Sequence, residues 1–238
     1  MTVSNNGFSR RFGELYQTQW IHGDGAVDLV TEIAKIAAAG EILAAELGME
    51  EVMEDAFRLF RPLLHTSTTD TLLLLERYES LAVWAVAETA AQTSPLWMSA
   101  ILANQDNQQT WLGDAYHMLD DALDPPRELQ TKKLSVDWTV YDPTKKAALV
   151  EFPEMIRELA VAVADAGFTD TAVRYFAMTT AAGPALNYAH LWLEHASPAV
   201  LGEVLAWRQS APELQDWRNR LNKVCGSIQS HQLLVQIA

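Results

Sequence analysis

The sequence is poor in cysteine: Cys225 is the single one in 238 residues. No internal disulfide can form, and the cysteine spacing of a zinc site is absent. No apolar run reaches the roughly 18 residues that a membrane-spanning helix needs. The N-terminus also lacks the basic-then-apolar order of a signal peptide. These absences exclude a disulfide-rich or membrane-spanning protein and predict a cytoplasmic location.

Basic residues are also scarce, since 17 lysines and arginines face 31 acidic residues and the formal net charge is −14. Such a charge disfavours nucleic acid and anionic membrane surfaces as partners, because like charges repel. A basic or uncharged partner fits better, and solubility alone explains the charge equally well.

The sequence lacks three motifs that are common among enzymes. There is no GxGxxG after a strand, no phosphate-binding P-loop and no GxSxG elbow. Cys225 lies near His231 but lacks a third, orienting group, so a buried inert thiol is the better interpretation. We therefore predict no catalytic, cofactor-binding or metal-binding residue in this chain.

Apolar residues make up 49% of the chain, which excludes disorder. Alanine, leucine, glutamate and glutamine are common, and alternating patterns are scarce, so we predict an all-α protein. Residues 1–26 form an N-terminal extended arm, and residues 27–238 form a single helical domain. The predicted helices outside the centre of the chain cover residues 27–47, 50–60, 143–167, 169–182, 184–195 and 198–209, with a last one from Pro212 toward Ile237.

The centre of the chain, from Leu72 to Leu123, is predicted to be a long helical hairpin. Its first half is apolar nearly all round, which is typical of a helix buried on most sides. Ser94 can cap the second helix and Pro95 suits its first turn. Residues 125–143, with Trp138, are predicted to be a connection.

The acidic residues suggest two kinds of metal site, a magnesium site and a diiron centre. Asp120, Asp121 and Asp124 form DDxxD, which resembles the magnesium motif of class I isoprenoid synthases. The second motif of those enzymes is missing, because Asn187 and Glu194 have the wrong spacing, so a solvated helix end is the better interpretation. A diiron centre in a helical bundle needs Glu-x-x-His on two helices, and the sequence has none.

The order of features nevertheless resembles the β subunits of soluble diiron multicomponent monooxygenases, the toluene, phenol, propane and methane hydroxylase group. Three stretches carry the resemblance: Gln92 to Pro95 followed by Trp111-Leu112 and Ala115-Tyr116; Asp142-Pro143 through Ile156 to Leu159, Asp165 to Ala172 and Ala182 to Pro184; and Trp217 four residues before Leu221.

The resemblance implies a ferritin-like helical bundle with additional flanking helices. The chain would be a non-catalytic subunit supporting a catalytic α subunit that hydroxylates a small organic substrate, with a further small subunit in a homo- or hetero-oligomer. The diiron site would lie in the α subunit, and here Gln108 and Trp111 would stand at degenerate ligand positions. The alternatives are a helical scaffold unrelated to oxygenases, or an isoprenoid-synthase-like enzyme that uses the DDxxD.

Aromatic residues are candidates for a partner interface. Eight tryptophans are many for this length, and buried aromatics often dominate binding. Ordering an extended arm costs about 1–2 kcal/mol per residue in backbone entropy, which docking on a partner can offset. We predict an interface that includes the arm and one face of the central hairpin, with these candidate residues: Phe8, Phe12, Tyr16, Trp20, Trp138 and Trp207.

We expect the purified chain to bind no stoichiometric iron, because it lacks Glu-x-x-His and has Gln108 and Trp111 at the positions that the resemblance assigns to ligands. Elemental analysis measures this directly, and about two irons per chain, the number that a diiron site holds, would contradict the prediction.

Overall fold

The computed structural model describes residues 15–22, 28–48, 57–63, 71–78, 80–105, 110–121, 129, 131, 133–142, 146–180, 189–225 and 227–237. These residues contain both helices and strands. Contacts along the chain divide it into two compact units. The N-terminal unit comprises residues 13–117 with 237–238, and the C-terminal unit comprises residues 118–236 with 1–12.

The described part of the N-terminal unit contains an antiparallel sheet and three helices. In chain order its elements are β1 (Leu15–His22), α1 (Leu29–Leu47), β2 (Phe57–Pro62), β3 (Thr71–Tyr78), α2 (Leu81–Thr93) and α3 (Pro95–Gln105). Strand β3 lies between β1 and β2 and pairs with both of them. Strand β4 (Thr110–Asp121) follows in the sequence.

Helix α1 ends at Leu47, as its sequence predicts, and begins at Leu29, two residues after the predicted start at Val27. Asp28 caps its N-terminus by accepting a hydrogen bond from the Thr31 backbone N–H. Gly48 ends it with a φ of 65°, a left-handed conformation that glycine adopts without steric cost. Ile33 on its buried face packs with Leu72 and Leu74 of β3, which forms an apolar core inside this unit.

Among the described residues, the C-terminal unit contains four paired strands and three α-helices. Its elements are β5 (Ser135–Asp142), α4 (Lys146–Asp165), β6 (Thr171–Thr180), β7 (Ala189–His195), α5 (Pro198–Ser210), a 3₁₀ turn (Pro212–Leu214), α6 (Gln215–Val224) and β8 (Ser227–Gln236). The strands pair antiparallel in the order β8, β5, β7, β6.

Helices cover one face of this sheet. Leu159 of α4 and Val204 of α5 are buried in one apolar cluster with Leu191 of β7. Trp217 of α6 joins the cluster and donates a hydrogen bond from Nε1 to the Met155 carbonyl, at 2.7 Å. Burial of apolar surface, at about 25 cal/mol per Å², is thus what holds the three helices to the sheet.

The prediction of an all-α, ferritin-like bundle is wrong, because the described residues include eight strands. Segments predicted to be helical form β2, β3, β4, β6, β7 and β8. The error at β3 has a clear reason: Leu72 to Leu75 is a continuous apolar run, and all four residues are buried. Periodicity cannot distinguish such a strand from a buried helix.

The prediction of a connection over residues 125–143 is also wrong where β5 lies. Val136, Trp138 and Val140 alternate with Asp137 and Thr139, which is the two-residue period of a strand. The sequence suggested a loop here because Asp137 and Thr139 are polar. In the structure both sets of side chains are buried.

Two predicted helix starts are confirmed. The Ser94 hydroxyl accepts a hydrogen bond from the Trp97 N–H at the start of α3, and the Ser197 hydroxyl accepts one from Val200 at the start of α5. None of the helices among the described residues is long and apolar enough to cross a membrane. The proposed boundary between an arm and a single domain stays a prediction, although Leu15–His22 of that arm forms β1.

Replacing Leu159 by alanine should destabilise the protein by about 2–5 kcal/mol, because it leaves a cavity in the fully buried cluster under α4. Val161 on the same helix is 46% exposed, so Val161→Ala is the matched control. Urea unfolding of the two variants checks this, and equal midpoints would contradict the proposed core.

Candidate active site

A buried carboxylate lies on the helix-covered face of the C-terminal sheet. Asp137 is in the middle of β5, directly opposite Leu193 of β7. Leu193 belongs to the apolar cluster under the helices, so Asp137 points to the same side. A lone carboxylate in such surroundings must be paired with positive charge or hydrogen-bond donors.

Three side chains supply those donors. Arg208 of α5 forms a short ion pair with Asp137 Oδ2 through Nη1. The His231 Nε2 atom of β8 lies 2.8 Å from Oδ1, and the Thr139 hydroxyl donates to the same oxygen at 3.3 Å. Asp137 therefore joins its own strand, the neighbouring strand and a helix through one carboxylate.

These contacts keep Asp137 ionised. Burial by itself would raise the pKa of Asp137, but the hydrogen bond from His231 and the charge of Arg208 outweigh it, so the pKa is lowered from 3.8. The carboxylate is thus negatively charged at neutral pH and balances the Arg208 guanidinium.

His231 gives this cluster its access to solvent. The His231 side chain is 44% exposed, whereas Asp137 is 1% exposed. With Nε2–H donating to the carboxylate, Nδ1 is the ring nitrogen that can accept a proton. A buried carboxylate that orients an accessible imidazole is the arrangement that enzymes use for general acid–base catalysis.

The position of Arg208 is itself fixed by hydrogen bonds. Ser197 caps the N-terminus of α5. At the other end, Arg218 Nη1 of α6 donates to the Arg208 carbonyl at 2.6 Å, and Nη2 donates to the Ala211 carbonyl at 3.0 Å. Arg218 thereby ties α6 to the end of α5 that carries Arg208.

A second group of polar residues lies on the same face of the sheet, two residues along the strands from Asp137 and Leu193. His195 of β7 lies opposite Ser135 on one side and Thr171 on the other. Its Nδ1 is 3.0 Å from the Thr171 hydroxyl. Burial lowers the pKa of His195 to about 4, despite the opposing charge of Asp137. His195 is therefore neutral at pH 7.

The opposite face of the sheet carries a second polar cluster. Arg174 donates to Glu194 Oε2 from Nε and forms an ion pair with it through Nη2, both at 3.0 Å, and Trp192 Nε1 donates to Oε1. Trp138 Nε1 donates to His190 Nδ1 at 3.3 Å. All five side chains are buried. Because this cluster is neutralised internally and closed to solvent, the Asp137 cluster is the better candidate site.

The interface candidates from the sequence fall in different places. Trp138 is buried, while Trp207 of α5 is partly buried, contacts the Phe168 ring at a tilt of 57° and donates a hydrogen bond to Glu213. Trp20 and Tyr16 lie on β1. Phe8 and Phe12 lie outside the described residues, and so do Gln108 and Asp124. All six interface candidates stay predictions.

Those candidates for metal binding that the structure describes do not lie on a helix. Trp111, Asp120 and Asp121 belong to strand β4, so the prediction of a helix end at the DDxxD is wrong. Among the described residues, no group of three or more histidine, cysteine or acidic side chains could hold a metal. Burial raises the pKa of Cys225 to about 11, so the thiol stays protonated at neutral pH.

Sequence reasoning missed Asp137 and Arg208 altogether, and it paired His231 with the wrong residue. A signal was present, because Asp137 is an acidic residue inside β5, between Val136 and Trp138. A charge in such a position indicates either a paired buried group or an exposed edge. The identity of its partners required the fold, since they lie 71 and 94 residues away.

Comparison with known proteins supports the mixed fold. No family model matches the chain, and no curated protein matches it. A solved structure from Fusobacterium nucleatum, described as a "putative monooxygenase", has a TM-score of 0.60 at 12% identity and covers 95% of this chain and 93% of its own. A second so described, from Lactobacillus acidophilus, has a TM-score of 0.58 at 9% identity, covering 94% of each chain.

A third solved structure, described as a "putative chlorite dismutase", has a TM-score of 0.54 at 10% identity and covers 95% of this chain and 96% of its own. At such identities the similarity establishes the fold alone. That fold is an α+β arrangement with antiparallel strands, so the resemblance to a ferritin-like diiron β subunit is wrong. Gln108 and Trp111 consequently lose their assignment as former ligand positions, and the absence of iron stays a prediction without that support.

Replacing Asp137 by asparagine should cost about 3–5 kcal/mol of stability, because it leaves the Arg208 charge without its buried anion. Glu158→Gln is the matched control, since the Glu158–Arg220 pair is about half exposed and should change stability by less than about 1 kcal/mol. Urea unfolding at pH 7 distinguishes the two variants, and similar losses would contradict the role of Asp137.

Stability should fall as the pH drops from 6.5 toward 4. Burial lowers the pKa of both His190 and His195 from 6.5 to about 4, so in this window the unfolded chain takes up protons that the folded chain does not. The difference corresponds to about 3 kcal/mol for each histidine at the acid end.

The measurement is the free energy of unfolding at pH 7 and pH 5 for the wild type and for His195→Gln. The variant should lose a smaller part of its stability between the two values. An equal pH dependence would show that His195 titrates normally in the folded protein.

Proposed function

We propose that this chain is a monooxygenase that acts on a small organic substrate, with His231 as its general base. The observation that carries the proposal is the contact between the half-exposed His231 imidazole and the buried Asp137 carboxylate, at 2.8 Å. A base with this orientation can remove a proton from a substrate that approaches from solvent.

His231 and Asp137 have different tasks in the proposed reaction. His231 accepts the proton at Nδ1, while Nε2–H keeps its hydrogen bond to Asp137. The carboxylate stabilises the imidazolium that forms, and it remains ionised because its pKa is lowered. Arg208 acts as a positioning residue, since its ion pair holds the Oδ2 atom of the carboxylate, whereas His231 contacts Oδ1.

Proton removal connects this site to oxygen chemistry. A phenol, a hydroquinone or a 1,3-dicarbonyl compound becomes electron-rich when it is deprotonated, and in that form it can transfer electrons to dioxygen. The balanced reaction takes one substrate and one dioxygen to an oxygenated product and water: the substrate loses two hydrogens and gains one oxygen atom. The substrate supplies all four electrons that dioxygen accepts, so the proposal names no other reductant.

The fold supports the choice of reaction class. Two of the structures with the same fold are described as monooxygenases, with TM-scores of 0.60 and 0.58. At 12% and 9% identity they carry no residue assignment to this chain. The assignment of His231 and Asp137 therefore depends on the geometry in this structure alone.

Dioxygen uptake with a panel of phenols, hydroquinones and 1,3-dicarbonyl compounds tests the proposal. We expect turnover with at least one class, and incorporation of one labelled oxygen from ¹⁸O₂ by mass spectrometry. Replacing His231 by glutamine should lower kcat by about 10²–10⁴-fold, the usual contribution of a general base.

Ile228→Ala is the control, because Ile228 lies on the same strand and is exposed. It should retain wild-type turnover. Oxygen uptake that is unchanged in His231→Gln, or absent with every compound of the panel, would refute the assignment.

A further inference from the structure

Two buried polar atoms of the C-terminal sheet lack a hydrogen bond to any described residue. One is Nε2 of His195, whose other ring nitrogen, Nδ1, lies 3.0 Å from the Thr171 hydroxyl. The second is the hydroxyl oxygen of Ser135. Both residues are 0% exposed. Buried polar atoms in native proteins are nearly always bonded, because burial without a partner is costly, so both atoms require an explanation.

The register of the sheet brings these two atoms together. Ser135 of β5 and Thr171 of β6 both lie directly opposite His195 of β7, one on each side of it. The two nitrogens of an imidazole point away from opposite edges of the ring. Since Nδ1 faces Thr171, Nε2 faces the side on which Ser135 lies. Directly opposed residues of an antiparallel pair have Cβ atoms about 4.5–5.5 Å apart, so Nε2 and the Ser135 hydroxyl can bond to the same small molecule.

The surroundings restrict the size and charge of that molecule. The neighbouring positions on the same face, Leu193 and Val173, are buried in the apolar cluster under the helices, and protein interiors of this kind are closely packed. Burial lowers the pKa of His195 to about 4, so neither His195 nor Ser135 carries a charge at pH 7. The molecule must therefore be very small, uncharged and able to form at least two hydrogen bonds.

We propose that one internal water molecule bridges the Ser135 hydroxyl and Nε2 of His195. Water both donates and accepts, so it satisfies the imidazole whichever ring nitrogen carries the proton. Buried waters typically bond to polar groups that the protein itself leaves unsatisfied, and such bridges are nearly as favourable in enthalpy as direct hydrogen bonds. The bridge extends the contact between Thr171 and His195 to β5 and thereby links side chains of three adjacent strands.

Ions fit this position less well than water. Among the described residues, no group of three or more histidine, cysteine or acidic side chains could hold a metal ion. An anion would need positive charge, and the nearby Arg208 guanidinium is already paired with Asp137. The inference is independent of the proposed enzymatic function, because it involves neither His231 nor a substrate.

A high-resolution crystal structure of the full chain tests the proposal directly. We expect one peak of electron density at about 2.7–3.2 Å, the usual hydrogen-bond distance, from both the Ser135 hydroxyl and Nε2 of His195. A direct bond between the two residues, separate partners for each of them, or no density between them would overturn the inference.

The stability of Ser135→Ala provides a test in solution. With a bridging water, the substitution removes a hydrogen bond, and the equilibrium constant for unfolding should rise about tenfold. Without a partner for the hydroxyl, the substitution removes an unsatisfied polar group, and the constant should fall. Urea unfolding at pH 7 distinguishes the two results, and a constant that falls or stays the same would refute the bridge.

Ser210→Ala is the matched control, because the Ser210 hydroxyl is exposed and bonds to the Ala206 carbonyl of its own helix. It should change the constant by no more than about twofold.

A count of long-lived internal waters by oxygen-17 relaxation dispersion completes the test. Ser135→Val replaces the hydroxyl by methyl groups that occupy the position of the water, so the variant should hold one long-lived water fewer than the wild type. Equal counts in the two folded proteins would contradict the proposal. Circular dichroism verifies that the variant is folded, and if it is not, the crystal structure of the wild type decides.

Discussion

The buried charge of Asp137 is the constraint on which the C-terminal unit depends. An ionised carboxylate inside an apolar layer costs several kcal/mol unless cations and donors surround it. Arg208 and His231 meet that requirement from a helix and from a neighbouring strand. Pairing with Asp137 therefore fixes where α5 lies and how β8 is registered on β5. The same contacts orient the imidazole that we assign as the base. Stability and the proposed chemistry therefore both depend on the pairing of Asp137.

The sheet of this unit carries a charged cluster on each face, and the two clusters differ in a decisive way. Successive side chains of a strand point to opposite faces, so adjacent positions such as Asp137 and Trp138 enter different environments. On one face the Arg174–Glu194 pair is closed to solvent and neutralised. On the other face the network reaches the surface at His231. A neutral, closed network makes packing specific, whereas an open one with a proton acceptor at its edge can act on a substrate. Access to solvent, and not the kind of residue, separates a structural cluster from a candidate site here.

The sequence predicted the helices better than the strands, for reasons that particular residues show. Ser94, Pro95, Ser197 and Pro198 act within one turn of their own position, so their effect is visible in the sequence. Strands β3, β5 and β7 are buried on both faces, and their patterns lack a solvated side. A run such as Leu72 to Leu75 then suits a buried helix equally well. The resemblance to a diiron subunit followed from the same error, since the matched tryptophans, prolines and Asp-Pro pairs are features of helix ends and packing that many proteins share.

The sequence by itself determined properties that depend on a few neighbouring residues or on the composition of the chain. These are the ends of several helices, the absence of disulfides, the strong negative charge and the burial of Cys225. Only the tertiary structure decided that Asp137 meets Arg208 and His231, which are 71 and 94 residues distant. It also decided which apolar residues of the central stretch form a buried strand and which lie on helices with part of their surface exposed. Such choices depend on pairing between distant segments, where the cost of closing a loop is offset by contacts that no local pattern encodes.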